Sequence, residues 1–475
     1  MKTCRGLAFV LAVGVLFAAT SPASAAVKLP AIFSDNMILQ RDQAVPVWGW
    51  AKGGAEVSVS IAGQTAKATA GQDGRWKVSL EKLSAGGPHE LVVEETGGNK
   101  ITRKNVLVGE VWVCSGQSNM ELPTAASVNG PQEVAAAKYP KIRLFNVVKA
   151  PSASLKDDCQ GAWAECNPQS VPGFSAIGYF FIRHLYKELD VPCGMIASDW
   201  GGTPIEAWMP KEAMLGLDFV KARAEEAAKA APNPNAPAHL YNGMLNPIIP
   251  YGIRGALWYQ GESNIGGAYN YRTLMPVMIE SWRKAWGQGD FAFGMVQLAP
   301  FRYGGAPTEL CCELREAQVL TLAKSPNTGL AVTMDIGDPK DIHPKNKQEV
   351  GRRFGLWAMA KVYGKDDLVY SGPMYRSMAV ENGKIRLAFD HVGGGLTTRD
   401  GKAPAHFTIA GADKKFVPAT AVMDGNAVVV SSDQVKEPVA VRYGWTDDAE
   451  PNLSNKEGLP ASPFRTDAWK GLTQP

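Results

Sequence analysis

Four short polar runs stand out because each follows an apolar stretch. SGQSN at 115–119 follows EVWVC, and GGT at 201–203 follows MIASDW. GESN at 261–264 follows GALWYQ, and GDPKDIHP at 337–344 follows AVTMDI. Between them they hold the groups that acyl transfer needs. Ser118 supplies a hydroxyl, weak at neutral pH unless a base takes its proton, and His343 supplies an imidazole. Asp341 and Asp338 lie within local reach to hold the imidazole tautomer, and Glu262 is a further carboxylate for that task. The amide of Ser118, the amide of the side-chain-free Gly202 and the NH2 group of Asn264 are donors for an oxyanion.

Each group also has a purely structural reading. Ser118 and Glu121 match an S-x-x-E capping box, and Thr203, Pro204 and Glu206 match a helix start with a first-turn proline. Asn264 fits a turn, and His343 fits the residue just before a helix that starts at Pro344. The remaining histidines, His89, His184, His239, His391 and His406, have no comparable neighbours.

The surrounding elements decide whether these runs can meet. From about 106 to 365, helical patterns alternate with strands. Phe174, Ile177, Phe181 and Leu185 share one helical face before CGMIAS; RTLMPVMIESWRKAW precedes FAFGMVQL; ELREAQVLTLAK precedes GLAVTMDI. This grammar predicts an α/β domain with a parallel sheet and helices on both faces. Ligands in such a sheet bind beyond the carboxyl ends of the strands, so all four polar runs should reach one edge. Residues 26–105 read as a small antiparallel sandwich, with Val57, Val59 and Ile61 alternating and Asp73-Gly74 as a hairpin signal. Residues 366–475 return to short strands, KIRLAFD, AHFTIAG, AVVVSSD and VAVRYGW, forming a second β module. AAKAAPNPNAPAH reads as a surface insertion.

The first 25 residues carry a basic start, a short apolar run and an Ala23-Ser24-Ala25 exit, the pattern of a signal peptide. Export to the periplasm or the extracellular space is the expectation. With 49 Lys+Arg against 46 Asp+Glu, the chain gives no electrostatic case for a nucleic-acid partner. No stretch beyond the leader suggests a membrane span. No C-x-x-C occurs and the histidines are scattered, so no metal is expected. Cys159 and Cys166 are close enough in a turn-rich segment to bridge in an oxidising compartment, while Cys114 and Cys193 read as buried.

Taken together, GQSNM, WGGTPIEAW, WYQGESN and DIHPKNK, with NLSNKEGLPASPFRTD near the end, resemble the sialate O-acetylesterase family of SGNH-type serine hydrolases. The resemblance spans nearly the whole chain beyond the leader. It implies a flavodoxin-like SGNH sheet flanked by N- and C-terminal antiparallel β-sandwich modules, no cofactor, and an O-acetylated carbohydrate as substrate. It makes Ser118 the nucleophile and His343 the base, with Ser118, Gly202 and Asn264 as oxyanion donors. Many SGNH hydrolases carry D-x-x-H, but position 340 here is Lys. Asp341 is therefore taken as the acid, with Glu262 as the alternative, as in some related acetylesterases. The sugar stays open between sialic acid and acetylated xylan or xyloglucan; Arg315 is a candidate partner for a sialate carboxylate, and its structural reading is an ion pair with a neighbouring glutamate. Two other readings remain: a general short-chain carboxylesterase, and a non-catalytic carbohydrate-binding protein.

Overall fold

The computed structural model describes residues 1–2 and 26–475, so the predicted leader lies almost wholly outside the described residues. The central sheet contains β1 (Lys100–Gly116), β2 (Tyr139–Asn146), β3 (Trp163–Cys166), β4 (Cys193–Asp199), β5 (Gly255–Tyr259), β6 (Ala292–Val296) and β7 (Thr328–Ala331). Their order is β7-β6-β5-β1-β4-β2-β3, parallel throughout except for β3, which closes one edge antiparallel to β2. The central strands are buried on both faces, which is why they read as unbroken apolar runs. The chain winds to one side of β1 through β2, β3 and β4 and to the other through β5, β6 and β7, making β1 a switch point.

Helix α1 (Ala176–Leu189) and helix α4 (Lys347–Lys361) cover one face; α2 (Ala268–Trp286) and α3 (Glu309–Lys324) cover the other. The tryptophans of the strands anchor these layers. Trp112 on β1 meets Phe181 of α1 at 4.9 Å and Trp357 of α4 at 6.2 Å between ring centroids. Trp258 on β5, facing the opposite way, meets Trp282 of α2 at 5.7 Å and Trp208 at 6.2 Å. Edge-to-face packing of this kind adds to the area these large rings bury.

The N-terminal module is built around the first half of β1. That half pairs antiparallel with Gly86–Glu95 and parallel with Ile38–Gln40, and the strand then runs unbroken into the central sheet. Val57, Val59 and Leu91 of this module belong to the same continuous core as Trp112 and Ile196. The predicted turn at Asp73-Gly74 is present but is not a hairpin. Gln64–Thr69 pairs with Glu56–Ile61, whereas Arg75–Leu80 pairs with Val45–Trp50 in a separate sheet. The C-terminal module has its own core, including Ile385, Leu387, Val430, Ile409 and Tyr443, between two antiparallel four-stranded sheets. Its tail returns to the α/β domain, where Arg465 pairs with Glu316 on α3 at 2.8 Å and Ser462 accepts from Gln297 at 2.8 Å.

Several local expectations change. The cysteines at 159 and 166 are both free. The Ala/Pro/Asn insertion is exposed through its middle, 229–235, and buried from 237 to 239. His239 is fully buried, its Nδ1 accepting from the Asn233 amide and its Nε2 within 2.8 Å of the Ala227 carbonyl. Arg315 is also fully buried and donates to the carbonyls of Leu298, Ala299, Thr446 and Asp447, so it ties the C-terminal segment to α3 and has nothing left for a substrate. Among the described residues, no helix is long and apolar enough to cross a membrane.

Candidate active site

β1 ends at Gly116, level with Asp199 of β4 and Tyr259 of β5, so three of the four polar runs leave the sheet side by side. Gly116 has φ +137°, and a Cβ there would lie 2.1 Å from the Tyr259 carbonyl oxygen, so only glycine allows the chain to turn this close to β5. Ser118 then opens a one-turn helix, Ser118–Glu121, whose N-cap is Gln117 and whose cap uses no side chain. The capping-box reading is thereby corrected. Glu121 reaches across to the Gly201 amide at 2.6 Å and to Lys149 at 2.5 Å, and the Ser118 hydroxyl is left for another partner.

That partner is His343. Its Nε2 lies 2.8 Å from Ser118 Oγ, across 225 residues of sequence. The fourth run arrives differently from the expectation. β7 stops at Ala331, and an irregular segment carries the chain to His343. Helix α4 starts at Lys347, capped by Asn346, whose side chain accepts from the Glu349 amide, so His343 is not its cap.

The carboxylates divide. Asp341 Oδ1 accepts the His343 amide at 2.9 Å and stands 4.0 Å from Nδ1 of the ring, with both side chains about two-fifths exposed, 42% and 43%. Glu262 does not bond the imidazole. It accepts from Asn119 Nδ2 at 2.6 Å, and the same nitrogen donates to the Ile342 carbonyl at 2.9 Å. Lys347, 1% exposed, donates to Asn119 Oδ1 at 2.6 Å. Asn119 thus holds the residue before His343 from below, with a buried carboxylate on one side and a buried ammonium on the other. Burial pushes the Glu262 carboxyl up and brings the Lys347 ammonium down to about 7. Sequence reasoning missed this clamp, although Lys347 carries a signal: it shares the stripe of Val350 and Phe354 at helical spacing, so a lysine stands on an apolar face.

On the other side of Ser118, Gly202 has φ +73° and open space where a Cβ would be. The predicted helix cap at Thr203 is not used as one. A 3-10 turn, Ile205–Trp208, follows with Pro204 as N-cap, and Thr203 Oγ1 instead bonds the Trp200 carbonyl and the Trp208 indole. Asn264 is held by three bonds. Its Oδ1 accepts from Gln260 at 2.7 Å and from the Ile205 amide at 3.0 Å, and its Nδ2 donates to Glu206 at 2.9 Å. An amide nitrogen has two hydrogens, so one is left for a further acceptor. Gly202 and Asn264 line a cavity of about 510 Å³, with Phe219, Arg223 and Asn270 on its far side. Arg223 pairs with Glu206 at 3.4 Å, so the cavity's cation is matched by an anion.

Next to this site lies Asp199, one of whose oxygens is sealed from solvent without a partner. Burial, reinforced by the like charge of Glu121, pushes it up to about 7. It ends an apolar run, the only trace it leaves in the sequence.

A serine hydroxyl hydrogen-bonded to an imidazole beside open amide donors is the arrangement of a serine hydrolase. Residues 108–359 match the family described as carbohydrate esterase, sialic acid-specific acetylesterase. The chain belongs to this family. The matched stretch starts within β1 and ends within α4, so the esterase family's characteristic region coincides with the sheet, helices and loops that form the site. A sialate O-acetylesterase of Homo sapiens is 29% identical across 97% of this chain and 96% of its own length; that of Mus musculus is 29% identical over 88% and 89%. The crystal structure of a carbohydrate acetylesterase from Xanthomonas citri superposes with a TM-score of 0.87, at 44% identity, over 93% of this chain and all of that one. The protein is accordingly a carboxylic ester hydrolase acting on carbohydrate.

Proposed function

We propose that this esterase is exported and removes O-acetyl groups from glycans by acyl transfer through Ser118. The observation that carries the reading is the 2.8 Å contact between Ser118 Oγ and His343 Nε2 at the end of β1. His343 takes the hydroxyl proton as Oγ attacks the acetyl carbonyl. The oxyanion is received by the amides of Ser118 and Gly202 and the free Asn264 hydrogen. The C–O bond to the sugar breaks as His343 returns the proton to the sugar oxygen, leaving acetyl-Ser118. Water, deprotonated by His343, then releases acetate and restores the serine. Asp341 is the acid that favours the protonated imidazole, acting through space and through the His343 amide. Export rests on the leader sequence.

The cavity beside Gly202 and Asn264 is the proposed seat of the leaving sugar. Its one arginine is paired with Glu206, which favours a neutral acetylated glycan of the hemicellulose class. The names of the mammalian relatives favour a second reading, acetylated sialic acid, in which Arg223 would exchange Glu206 for the substrate carboxylate.

Acetate release from an aryl acetate by the parent and by Ser118→Ala tests the chemistry. The parent should turn over and the variant should not; equal activity would return Ser118 to a structural role. Acetylated xylan, xyloglucan and sialosides compared at equal ester concentration then test the substrate, and faster release from the sialosides would overturn the neutral-glycan reading.

A further inference from the structure

A second cleft, of about 380 Å³, lies where the N-terminal module meets the α/β domain, lined by Trp48, Trp50, Arg75, Lys77, Asp157 and Asn246 among others. Its wall is the sheet formed by Val45–Trp50 and Arg75–Leu80. Strand alternation puts Val45, Val47 and Gly49 in the core and leaves Trp48 and Trp50 half-buried on the outer face. Across the ladder, Trp48 stands opposite Lys77 and Trp50 opposite Arg75. The two residues are thus about 7 Å apart along the strand, on one face.

This composition is not that of an ordinary module boundary. Trp48 and Trp50 are both partly open to solvent on the same face of one strand. Trp48 is braced from behind by Phe33, edge-on at 4.7 Å. Arg75 reaches over to Asp157 at 2.5 Å, and the Asn246 amide is anchored on the Lys156 carbonyl at 2.8 Å, so polar groups from the other domain form the opposite rim. Lys77 makes no ion pair among the described residues.

We propose that this cleft is a glycan-binding site, separate from the catalytic one, in which sugar rings lie on Trp48 and Trp50 while their hydroxyls bond Arg75, Lys77, Asp157 and Asn246. A pyranose presents its C–H bonds on one face and hydroxyls around its rim. That pattern matches an aromatic floor with a fork-shaped guanidinium, a carboxylate and an amide around it. The volume is within the usual range for a small-ligand site, roughly 300–1,000 Å³. The site would hold the polymer on the enzyme between deacetylation events, raising the effective concentration of acetyl groups at Ser118. It does not depend on which ester the catalytic site hydrolyses.

The test uses the full chain with probes that carry no acetyl ester, so that binding is read without turnover. Xylohexaose and a non-acetylated xyloglucan oligosaccharide are the neutral probes and 3′-sialyllactose the acidic one, titrated by calorimetry and by tryptophan fluorescence. Saturable binding of at least one probe is expected, weakened about tenfold by Trp50→Ala and by Trp48→Ala, and largely restored by Trp50→Phe. Binding should be indifferent to Phe219→Ala in the catalytic cavity. Thermal unfolding checks that each variant is folded, and Lys77→Ala, a surface change, serves if a tryptophan variant is not. Binding lost with Phe219→Ala but kept with Trp50→Ala would place the sugar in the catalytic cavity and overturn the proposal. So would the absence of saturable binding for all three probes.

Discussion

The position of Asp341 makes a quantitative demand. In a serine hydrolase whose acid is buried and bonded directly to the imidazole, removing the carboxylate charge costs about 10⁴-fold in turnover. Here Oδ1 and Nδ1 are 4.0 Å apart and both side chains are about two-fifths exposed. Two unit charges at ~4 Å attract by about 1 kcal/mol in water and about 4 kcal/mol at an effective dielectric near 20. The exposure draws the value to the lower end, ~1–2 kcal/mol, because solvent screens such pairs. Asp341→Asn keeps the shape and removes the charge, so kcat should fall roughly 5- to 30-fold. Steady-state turnover of an aryl acetate at saturating concentration, compared between parent and variant, measures it. Glu262→Gln is the comparison, since Glu262 touches Asn119 and not the ring; it should lower thermal stability and cost less in kcat than Asp341→Asn. A loss of four orders of magnitude in Asp341→Asn would mean that Asp341 closes from 4.0 Å onto Nδ1 when substrate binds, as a directly bonded acid.

Two further outcomes follow from buried polar groups near the site. Asp199 is held protonated to higher pH in the folded chain than in the unfolded one, so below its unfolded value, 3.8, it exacts no penalty, and stability declines as pH rises toward about 7. At about 1.4 kcal/mol per pH unit the full effect is ~4 kcal/mol, and partial exposure roughly halves it. Asp199→Asn should therefore stabilise the protein by about 2 kcal/mol at pH 8 and by almost nothing at pH 4, in urea unfolding; a difference independent of pH would contradict this. Asn119→Ala strips the Ile342 carbonyl, the Glu262 carboxylate and the Lys347 ammonium of a partner at once. We expect kcat about 10- to 100-fold lower at little-changed KM, with stability reduced by about 3 kcal/mol. An unchanged kcat would show that the His343 segment is held by other contacts.

The α/β domain was legible because burial on both faces writes itself as apolar runs, and the polar residues that interrupt those runs mark the strand ends. Ser118, Gly202 and Asn264 could be placed at one edge for that reason, whereas His343 reaches it on an irregular segment twelve residues beyond the end of β7. The errors share a cause. A serine, threonine or glutamate near a helix start can bond either the next turn or a residue far away in sequence, and local spacing cannot distinguish the two. Glu121 serves Gly201, Glu206 serves Asn264 and Thr203 serves Trp208, so three expected caps are long-range ties or turn contacts instead. Which strand pairs with which was equally out of reach: Asp73-Gly74 marks a turn whether its flanking strands pair or part. The Asn119 clamp lay hidden because its partners come from two separate loops and the first residue of α4.

The continuity of β1 limits how this chain can be rearranged. Its first half is the spine of the N-terminal module and its last residue is two positions from Ser118, with no linker between. Removing the module at residue 105 would leave a cut end in the middle of a strand and strip Ile38–Gln40 from its side. Unlike an appended sugar-binding module on a flexible tether, this one cannot be exchanged for another by joining sequences at a boundary. Insertions, deletions and fusions are better tolerated at the other end, where the C-terminal module has a core of its own. A designer seeking to graft a new glycan specificity onto this enzyme would have to repaint the face of the N-terminal sheet residue by residue, since replacing the sheet would displace Ser118.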